Sequence, residues 1–293
     1  MAAFEIARPA SLREAIELLD PDDPSVRPIS GGTALTLMMK SGLFRPTRLV
    51  SLRSVEKKFS RIEISSNGEL HIGAVVPLSI IEYSRTVQET VPVLTQTLRT
   101  LANVRVRNVA TLGGNLAHGD PHMDLPPVLV VLGARVLVMG PAGERTIPME
   151  SLITGHYETV LGGNEVIVEL IIPQQKQRHA VYLKCSTRTA DDWPALGVAV
   201  SVAAEEAVVR EAKIVISAAT EKPTRLTAAE SVLCSADLTD LLFQQARDAA
   251  AEQAVVIADQ HGSAEYKKQL VRVYVERALR AALASAKIAA SPR

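Results

Sequence analysis

Two glycine-rich loops contain the residue types in this sequence that could do chemistry. Residues 30–33 read Ser-Gly-Gly-Thr, and residues 111–115 read Thr-Leu-Gly-Gly-Asn. Adjacent glycines let the backbone adopt positive φ and approach a ligand closely, and successive N–H groups can then converge on a phosphate. Thr33, Thr111 and Asn115 add neutral hydrogen-bond donors beside the glycines. A diphosphate could therefore be bound without any lysine or arginine.

Each loop on its own also has an ordinary explanation. A single Gly-Gly pair is most often a plain turn, whereas two pairs with these neighbours favour a ligand. Neither loop matches the G-x-G-x-x-G or the P-loop spacing, which argues against a Rossmann nucleotide site and against a kinase-type site.

Metal chemistry is less well supported by the sequence. Residues 118–124 contain two histidines and two aspartates at short spacing, but Pro121 interrupts a continuous helix and nothing completes a zinc-type site. We interpret this segment as a polar loop around a cofactor edge, with no metal. Cys185 and Cys234 are too few for an iron–sulfur cluster, which normally takes four thiolates.

Composition limits the class of protein and its partners. The 293 residues are 47% hydrophobic, which suggests two domains or one composite domain with an appended module. Lys+Arg and Asp+Glu both total 32, and this neutral balance argues against nucleic-acid and anionic-membrane partners. The first residues lack the apolar core of a signal peptide, and the most apolar run, residues 125–139, is too broken to span a bilayer. We therefore expect a cytoplasmic protein with no integral membrane segment.

Periodicity and turn signals predict a mixed order of helices and strands. The predicted helices are a first helix opened by a capping box at Ser11, then residues 35–40, 79–101 with an interruption near Pro92, 238–259 and 263–286. The predicted strands are residues 48–52, 61–64, 70–74, 135–139, 166–172, 181–184, 197–203 and 213–217. Strands followed by helices after residue 180 are typical of a separate α+β module.

The two loops also resemble segments of a known family. Residues 28–35 resemble the first FAD loop of the medium subunits of molybdenum hydroxylases, a group that includes the carbon monoxide dehydrogenase medium subunit and the flavin domain of xanthine dehydrogenase. Residues 107–127 are similar to the second loop, which is highly specific. The likeness continues through residues 164–173, 182–193, 217–225 and 262–266, and so covers nearly the whole chain.

This resemblance implies an α+β fold. It consists of a vanillyl-alcohol-oxidase-type FAD-binding domain in two lobes, followed by a C-terminal domain with a small three-stranded antiparallel sheet and helices. On this basis we expect an FAD-binding domain at residues 1–176, with lobes of about 1–57 and 58–176, and a C-terminal domain at 177–293.

The resemblance also implies a role and partners. The chain would be the FAD-carrying subunit of a heteromeric molybdenum hydroxylase or dehydrogenase, in a dimer of heterotrimers. A large molybdopterin subunit would deliver electrons through a small [2Fe-2S] subunit, and this chain would pass them through FAD to an external acceptor.

Nineteen positions match segments near FAD in the family, and none is assigned a catalytic role. They are Ile29, Ser30, Gly31, Gly32, Thr33, Ala34, Leu35, Leu101, Ala110, Thr111, Leu112, Gly113, Gly114, Asn115, Asp124, Ile167, Lys184, Asp192 and Trp193. Asp124 matches a carboxylate close to the ribose or adenine end, and Lys184 matches a lysine near the flavin ring. Trp193 matches a residue that covers the isoalloxazine, although Pro194 follows it where the family usually has a small residue.

Two other functions stay open from the sequence. A self-contained FAD oxidoreductase would need its own substrate pocket and a proton-abstracting residue. A non-catalytic assembly subunit could share the fold, because a fold alone does not establish a function.

Overall fold

The computed structural model describes residues 3–205, 208–234 and 239–290, which form two compact units. The first unit contains residues 102–119, 134–173 and the described chain before position 90. The second unit contains residues 90–101, 120–133 and the described chain from position 174 onward. Two segments that precede residue 174 in the sequence therefore belong to the second unit.

Helices and strands are mixed along the chain, in keeping with the predicted α+β class. The strands are β1 (Glu5–Ala7), β2 (Val26–Ile29), β3 (Arg48–Ser51), β4 (Ile62–Ile64), β5 (Leu70–Gly73), β6 (Arg135–Gly140), β7 (Gly143–Pro148), β8 (Ile153–Gly155), β9 (Glu158–Thr159), β10 (Val166–Ile172), β11 (Arg178–Ser186), β12 (Pro194–Glu205), β13 (Val208–Ser217) and β14 (Thr224–Arg225). The helices are α1 (Leu12–Glu17), α2 (Thr33–Lys40), α3 (Leu78–Tyr83), α4 (Arg85–Thr90), α5 (Pro92–Thr100), α6 (Val104–Arg107), α7 (Leu112–His118), α8 (Leu125–Val131), α9 (Met149–Leu152), α10 (Thr227–Leu233), α11 (Asp240–Gln253) and α12 (Ala264–Ala290).

The first unit contains two main sheets. A parallel sheet has the order β1-β3-β2, and an antiparallel sheet has the order β4-β5-β10-β6-β7. Apolar residues from α1, β3 and β10, among them Leu12, Val50 and Val168, share one buried cluster. Ser11 caps α1 as predicted, since its hydroxyl accepts a hydrogen bond from the Glu14 N–H at 3.2 Å. The parallel sheet ends at β2, directly before the first glycine loop.

The second unit contains the sheet β11-β12-β13-β14, antiparallel throughout. The predicted three-strand meander is confirmed, and the two-residue strand β14 extends it. Helices α10, α11 and α12 pack their apolar faces on this sheet in one large cluster that includes Val200, Ile216 and Leu279. Among the described helices, none combines the length and apolar character needed to cross a membrane.

The helical pattern predicted for residues 79–101 is divided into three helices, α3, α4 and α5. The break near Pro92 was predicted, but the break at Ser84 was not. Ser84 is extended, with φ −67° and ψ 117°, and its carbonyl accepts a hydrogen bond from the Gln88 N–H at 3.0 Å. Ser84 thus begins a new helix instead of continuing the old one, which is a common role for serine.

The helix predicted for residues 238–259 is shorter in the structure. Leu238 lies outside the described residues, and α11 ends at Gln253, with Ala254 extended. Ile257 then donates a backbone hydrogen bond to the Ala219 carbonyl at 2.9 Å. Pairing with a distant segment therefore ends the helix where propensity alone would continue it. The helix predicted for residues 263–286 is confirmed, and it extends to Ala290.

Shortening a core side chain of the second unit should lower the free energy of unfolding. Leu279 on α12 is fully buried, whereas Leu241 on α11 is 62% exposed. We expect Leu279→Ala to lower the free energy of unfolding by about 3 kcal/mol, because a large-to-small change leaves a cavity. Leu241→Ala should change it by less than about 0.5 kcal/mol. Urea denaturation of both variants checks this, and equal effects would contradict the assignment of Leu279 to the core.

Candidate functional site

The first glycine loop connects β2 to α2. Gly32 is the N-cap of α2 and has φ +76°, a left-handed conformation that favours glycine. Thr33, Ala34 and Leu35 form the first turn of α2, whose N–H groups have no partner inside the helix. The loop thus places a helix N-terminus, with its partial positive charge, at the end of the parallel sheet.

The second glycine loop connects the short helix α6 to α7, and Thr111 is the N-cap of α7. Its backbone is bound to the segment after β5, because the Leu112 N–H donates to the Val76 carbonyl at 3.0 Å and the Gly113 N–H donates to the Ala74 carbonyl at 2.8 Å. The Ala110 carbonyl accepts a hydrogen bond from the Leu78 N–H at 2.9 Å. This loop is therefore fixed by the five-stranded sheet and by α3.

The two loops are in direct contact inside the first unit. A Cβ atom on Gly31 would lie 2.3 Å from the Val109 oxygen and 2.8 Å from the Ala110 Cα. Both contacts are with backbone, so neither can be relieved by moving a side chain. Only glycine fits at position 31, and the absence of a side chain there lets the two loops approach each other.

Three polar side-chain atoms on these loops are buried without a hydrogen-bond partner among the described residues. They are Ser30 Oγ, Thr111 Oγ1 and Asn115 Oδ1. Buried polar groups are normally hydrogen-bonded, so each unsatisfied atom requires an explanation. Two hydroxyls and one amide oxygen at the junction of two loops fit a polar ligand that carries both acceptors and donors.

In the second unit, Asp124 and Lys184 form a buried ion pair. Lys184 Nζ lies 3.0 Å from Asp124 Oδ2 and donates to the Thr100 carbonyl, also at 3.0 Å, while the Tyr182 hydroxyl donates to Asp124 Oδ1 at 2.6 Å. Burial raises the pKa of Asp124, and the charge of Lys184 with the Tyr182 hydroxyl opposes this shift. Burial and the adjacent carboxylate also raise the pKa of Tyr182 well above its ordinary value, so the phenol stays a donor.

The other four residues at predicted positions have different environments. Ile167 on β10, in the first unit, and Leu101 after α5, in the second, are buried apolar residues. Asp192 and Trp193 lie on an exposed turn of the second unit, where the Trp193 N–H donates to Asp192 Oδ1 at 2.9 Å. The indole of Trp193 is 45% exposed, as a residue available for stacking should be.

Sequence reasoning missed a buried ion pair that supports the second loop. Arg107 Nε donates to Glu82 Oε2 at 2.8 Å, and Arg107 Nη1 donates to the Ala102 carbonyl at 2.5 Å. Both side chains are nearly inaccessible, at 10% and 5%. Ala102 has φ +49°, which is strained for alanine. Arg107 therefore links the end of the segment 102–107 both to its start, at Ala102, and to Glu82 on α3. Its position in the loop motif was a signal, but its partner Glu82 is 25 residues away and no motif marks it.

The polar segment 118–124, weighed above as a metal site, does not assemble one. Within residues 3–205, 208–234 and 239–290, no group of three or more His, Cys, Asp or Glu side chains could hold a metal ion. His122 instead lies between two aspartates, Asp120 and Asp259.

Comparison with protein families matches this chain along most of its length. Residues 2–175 match the FAD binding domain in molybdopterin dehydrogenase, and residues 181–282 match the CO dehydrogenase flavoprotein C-terminal domain. The chain belongs to this family of FAD-binding medium subunits. Its cofactor is FAD, and it is an oxidoreductase subunit. The division of the first domain into lobes at 1–57 and 58–176 stays a prediction.

Relatives match over almost their full length. The chain is 32% identical to the nicotine 6-hydroxylase medium subunit of Paenarthrobacter nicotinovorans, covering 95% of this chain and 97% of that protein. It is 31% identical to the carbon monoxide dehydrogenase medium chain of Hydrogenophaga pseudoflava, with 96% and 97% covered. A solved carbon monoxide dehydrogenase structure from H. pseudoflava matches with a TM-score of 0.92 at 31% identity, covering 97% of this chain and 98% of that one. Quinoline 2-oxidoreductase from Pseudomonas putida 86 matches with 0.91 at 30%, with the same coverage. These matches confirm the predicted fold class.

Replacement of Arg107 should lower both the stability of the chain and its affinity for FAD. Arg107→Met leaves the Glu82 carboxylate buried without its cation, so we expect a loss of about 3 kcal/mol in the free energy of unfolding. FAD affinity should fall at least roughly tenfold, because Ala102 and the second loop are no longer fixed.

The double variant Glu82→Met with Arg107→Met is the control. Removing both charges should restore most of the stability, while FAD affinity stays low because the bond to the Ala102 carbonyl is still absent. Urea denaturation and flavin fluorescence titration measure the two quantities. Full recovery of FAD affinity in the double variant would show that the ion pair matters for stability only.

Proposed function

We propose that this medium subunit takes electrons from the iron–sulfur clusters of a partner subunit and passes them through FAD to an external acceptor. The observation that carries the proposal is the contact between the two glycine loops, with unsatisfied Ser30, Thr111 and Asn115 at their junction. Bound FAD supplies the ability to accept two electrons and release them one or two at a time. The protein supplies binding and orientation.

The diphosphate is the part of FAD best matched to this junction. Ser30 and Thr111 hydroxyls can donate to phosphate oxygens. The first turn of α2 adds N–H groups that have no partner within the helix, at the positive end of the helix dipole. Positions 29–35 and 110–115 form this cradle, which needs no cationic side chain. Ile167, buried on β10 of the same unit, would provide apolar surface.

The predicted contacts in the second unit are Leu101, Asp124, Lys184, Asp192 and Trp193. A cavity of ≈220 Å³ borders Thr100, Tyr182 and Lys184, so there is space for part of a ligand beside this ion pair. Lys184 is fixed there by Asp124, so that its charge is preorganised rather than free to move. A fixed positive charge stabilises negative charge on a reduced ring, which is the role that we propose for it.

The partners we propose are a small [2Fe-2S] subunit and a large molybdopterin subunit, assembled as a dimer of heterotrimers. The chain has two cysteines in all, so it cannot hold a four-thiolate cluster of its own. The relatives act on nicotine, carbon monoxide and quinoline by name, although they share this fold. This diversity supports a division of labour in which another subunit selects the substrate.

We also propose a cytoplasmic location. Cys185 and Cys234 are both free thiols, which suits a reducing compartment.

Two measurements test the proposal. The purified chain, mixed with FAD and freed of excess, should show flavin absorbance. In the reconstituted heterotrimer, the substrate should bleach that absorbance, whereas the flavin-loaded chain alone should not respond to it. Bleaching of the isolated chain by substrate would favour a self-contained oxidoreductase. Unchanged turnover of a complex that carries no flavin would favour an assembly role.

Substitution of Gly114 tests the cradle directly. Gly114 is exposed, and a side chain there would meet only Thr111 Oγ1, at 3.0 Å from its Cβ. We expect Gly114→Val to weaken FAD binding at least roughly tenfold, about 1.4 kcal/mol, since the added methyl groups cover the hydroxyl. Ala117→Val, an exposed position on the same helix, is the matched control. Titration with FAD measures the affinity of each variant. Equal affinities of Gly114→Val and Ala117→Val would mean that the diphosphate does not bind at this loop.

A further inference from the structure

His122 lies between two carboxylates in the second unit, on the turn between α7 and α8. Its Nδ1 is 3.2 Å from Asp120 Oδ1, and its Nε2 is 3.2 Å from Asp259 Oδ2. A neutral imidazole has one donor and one acceptor nitrogen, whereas ionised carboxylates only accept. Both contacts are satisfied at once only when the ring carries two protons, so the geometry selects the imidazolium.

The surrounding charges favour the same state. Asp120 is fully buried, and Asp259 Oδ2 also lies 2.7 Å from Nζ of Lys267, which is fully buried on α12. Lys267 donates in addition to the Ala218 carbonyl at 3.1 Å. A protonated His122 places a positive charge between Asp120 and Asp259, which matters because a carboxylate away from water needs a compensating charge or hydrogen bonds.

The titration behaviour of His122 agrees with this arrangement of charges. Burial lowers the pKa of His122, but hydrogen bonds to Asp120 and Asp259 and their charges outweigh burial and raise the pKa above its ordinary 6.5. Burial opposes ionisation of Asp259, yet Lys267 and His122 lower its pKa to about 2, so this carboxylate stays ionised over the range in which histidine titrates. His261 also faces the His122 ring, with the two ring centroids 5.5 Å apart.

The His122 ring contacts Trp193. The ring centroids lie 5.5 Å apart with an interplanar angle of 60°. A cation within about 6 Å of an indole is attracted by the negative charge of its π face. Trp193 is half-exposed, and its N–H donates to the side chain of the neighbouring Asp192. The His122 contact therefore ties this exposed side chain to the buried charge network.

We propose that His122 is a positioning residue for Trp193, held between Asp120 and Asp259 so that its protonated ring fixes the indole, and that the hold weakens when the proton is lost. The proposal rests on the proposed function in one respect, the placing of Trp193 over the flavin ring. We therefore expect the extent to which the Trp193 indole covers the flavin ring to depend on pH. The attraction is present below the midpoint of the His122 titration and is lost as the pH rises through it.

The chain contains one tryptophan, which makes the contact directly measurable. An imidazolium quenches indole fluorescence more strongly than a neutral imidazole does. The emission of the full chain, without flavin, should therefore rise roughly twofold between pH 5 and 9, with a midpoint above 6.5. His122→Gln should remove this step, and His261→Gln, the matched control on the neighbouring ring, should keep it. A step that persists in His122→Gln, or a midpoint below 6.5, would overturn the proposal.

A second measurement needs no change at His122, in case that variant does not fold. The exposed Trp193 can be replaced by leucine with little risk to the core. In histidine-labelled protein, one ring resonance should titrate with the same raised midpoint, and Trp193→Leu should shift that resonance by removing the ring current. An unchanged histidine spectrum would sink the proposed contact.

The outcome for FAD is separable from the outcome for His122. With FAD bound, quenching of flavin fluorescence by Trp193 should fall as the pH rises through the same midpoint, and His122→Gln should show the high-pH level throughout. If FAD does not bind, the proposed function fails while the fluorescence step without flavin still decides the His122 contact. If FAD binds and its emission is independent of His122, the positioning role is wrong.

Discussion

The close approach of Gly31 to the backbone of Val109 and Ala110 is the constraint on which the rest of the cofactor site depends. It joins the end of a parallel sheet to a loop fixed by an antiparallel sheet, so that two distant segments form one surface. The hydroxyls of Ser30 and Thr111, on the residues next to this contact, have no hydrogen-bond partner among the described residues. A buried polar atom without a partner destabilises the chain alone and stabilises a complex that satisfies it. The site is thus preorganised at some cost to the empty protein.

In the second unit, buried charged side chains orient the groups around them. Asp124 with Lys184, and Asp259 with Lys267, are ion pairs whose members are mostly or entirely removed from water. Such pairs add little net stability, because desolvation cancels much of the attraction. Their main effect is on orientation, because each carboxylate also holds a second side chain. Asp124 orients the phenol of Tyr182, and Asp259 orients the imidazole of His122. In the second unit, ion pairs and hydrogen bonds to carboxylates thereby orient Lys184 and His122.

The relatives show how little of the sequence this architecture requires. Chains about one-third identical or less superpose with TM-scores of 0.91–0.92 over nearly their full length. The fold is therefore compatible with widely different sequences.

The sequence by itself determined the class of the fold, the strand at Val166–Ile172, the C-terminal meander and the two loops, because periodicity and paired glycines are local signals. It also determined the cofactor, through a motif long enough to be specific. Only the tertiary structure decided which distant residues meet. The pairing of Arg107 with Glu82, of His122 with Asp259, and the end of α11 at Gln253 all depend on segments that are 25 or more residues apart. No local pattern encodes these contacts, because each joins a charged group or a carbonyl to a partner that comes near only when the chain folds.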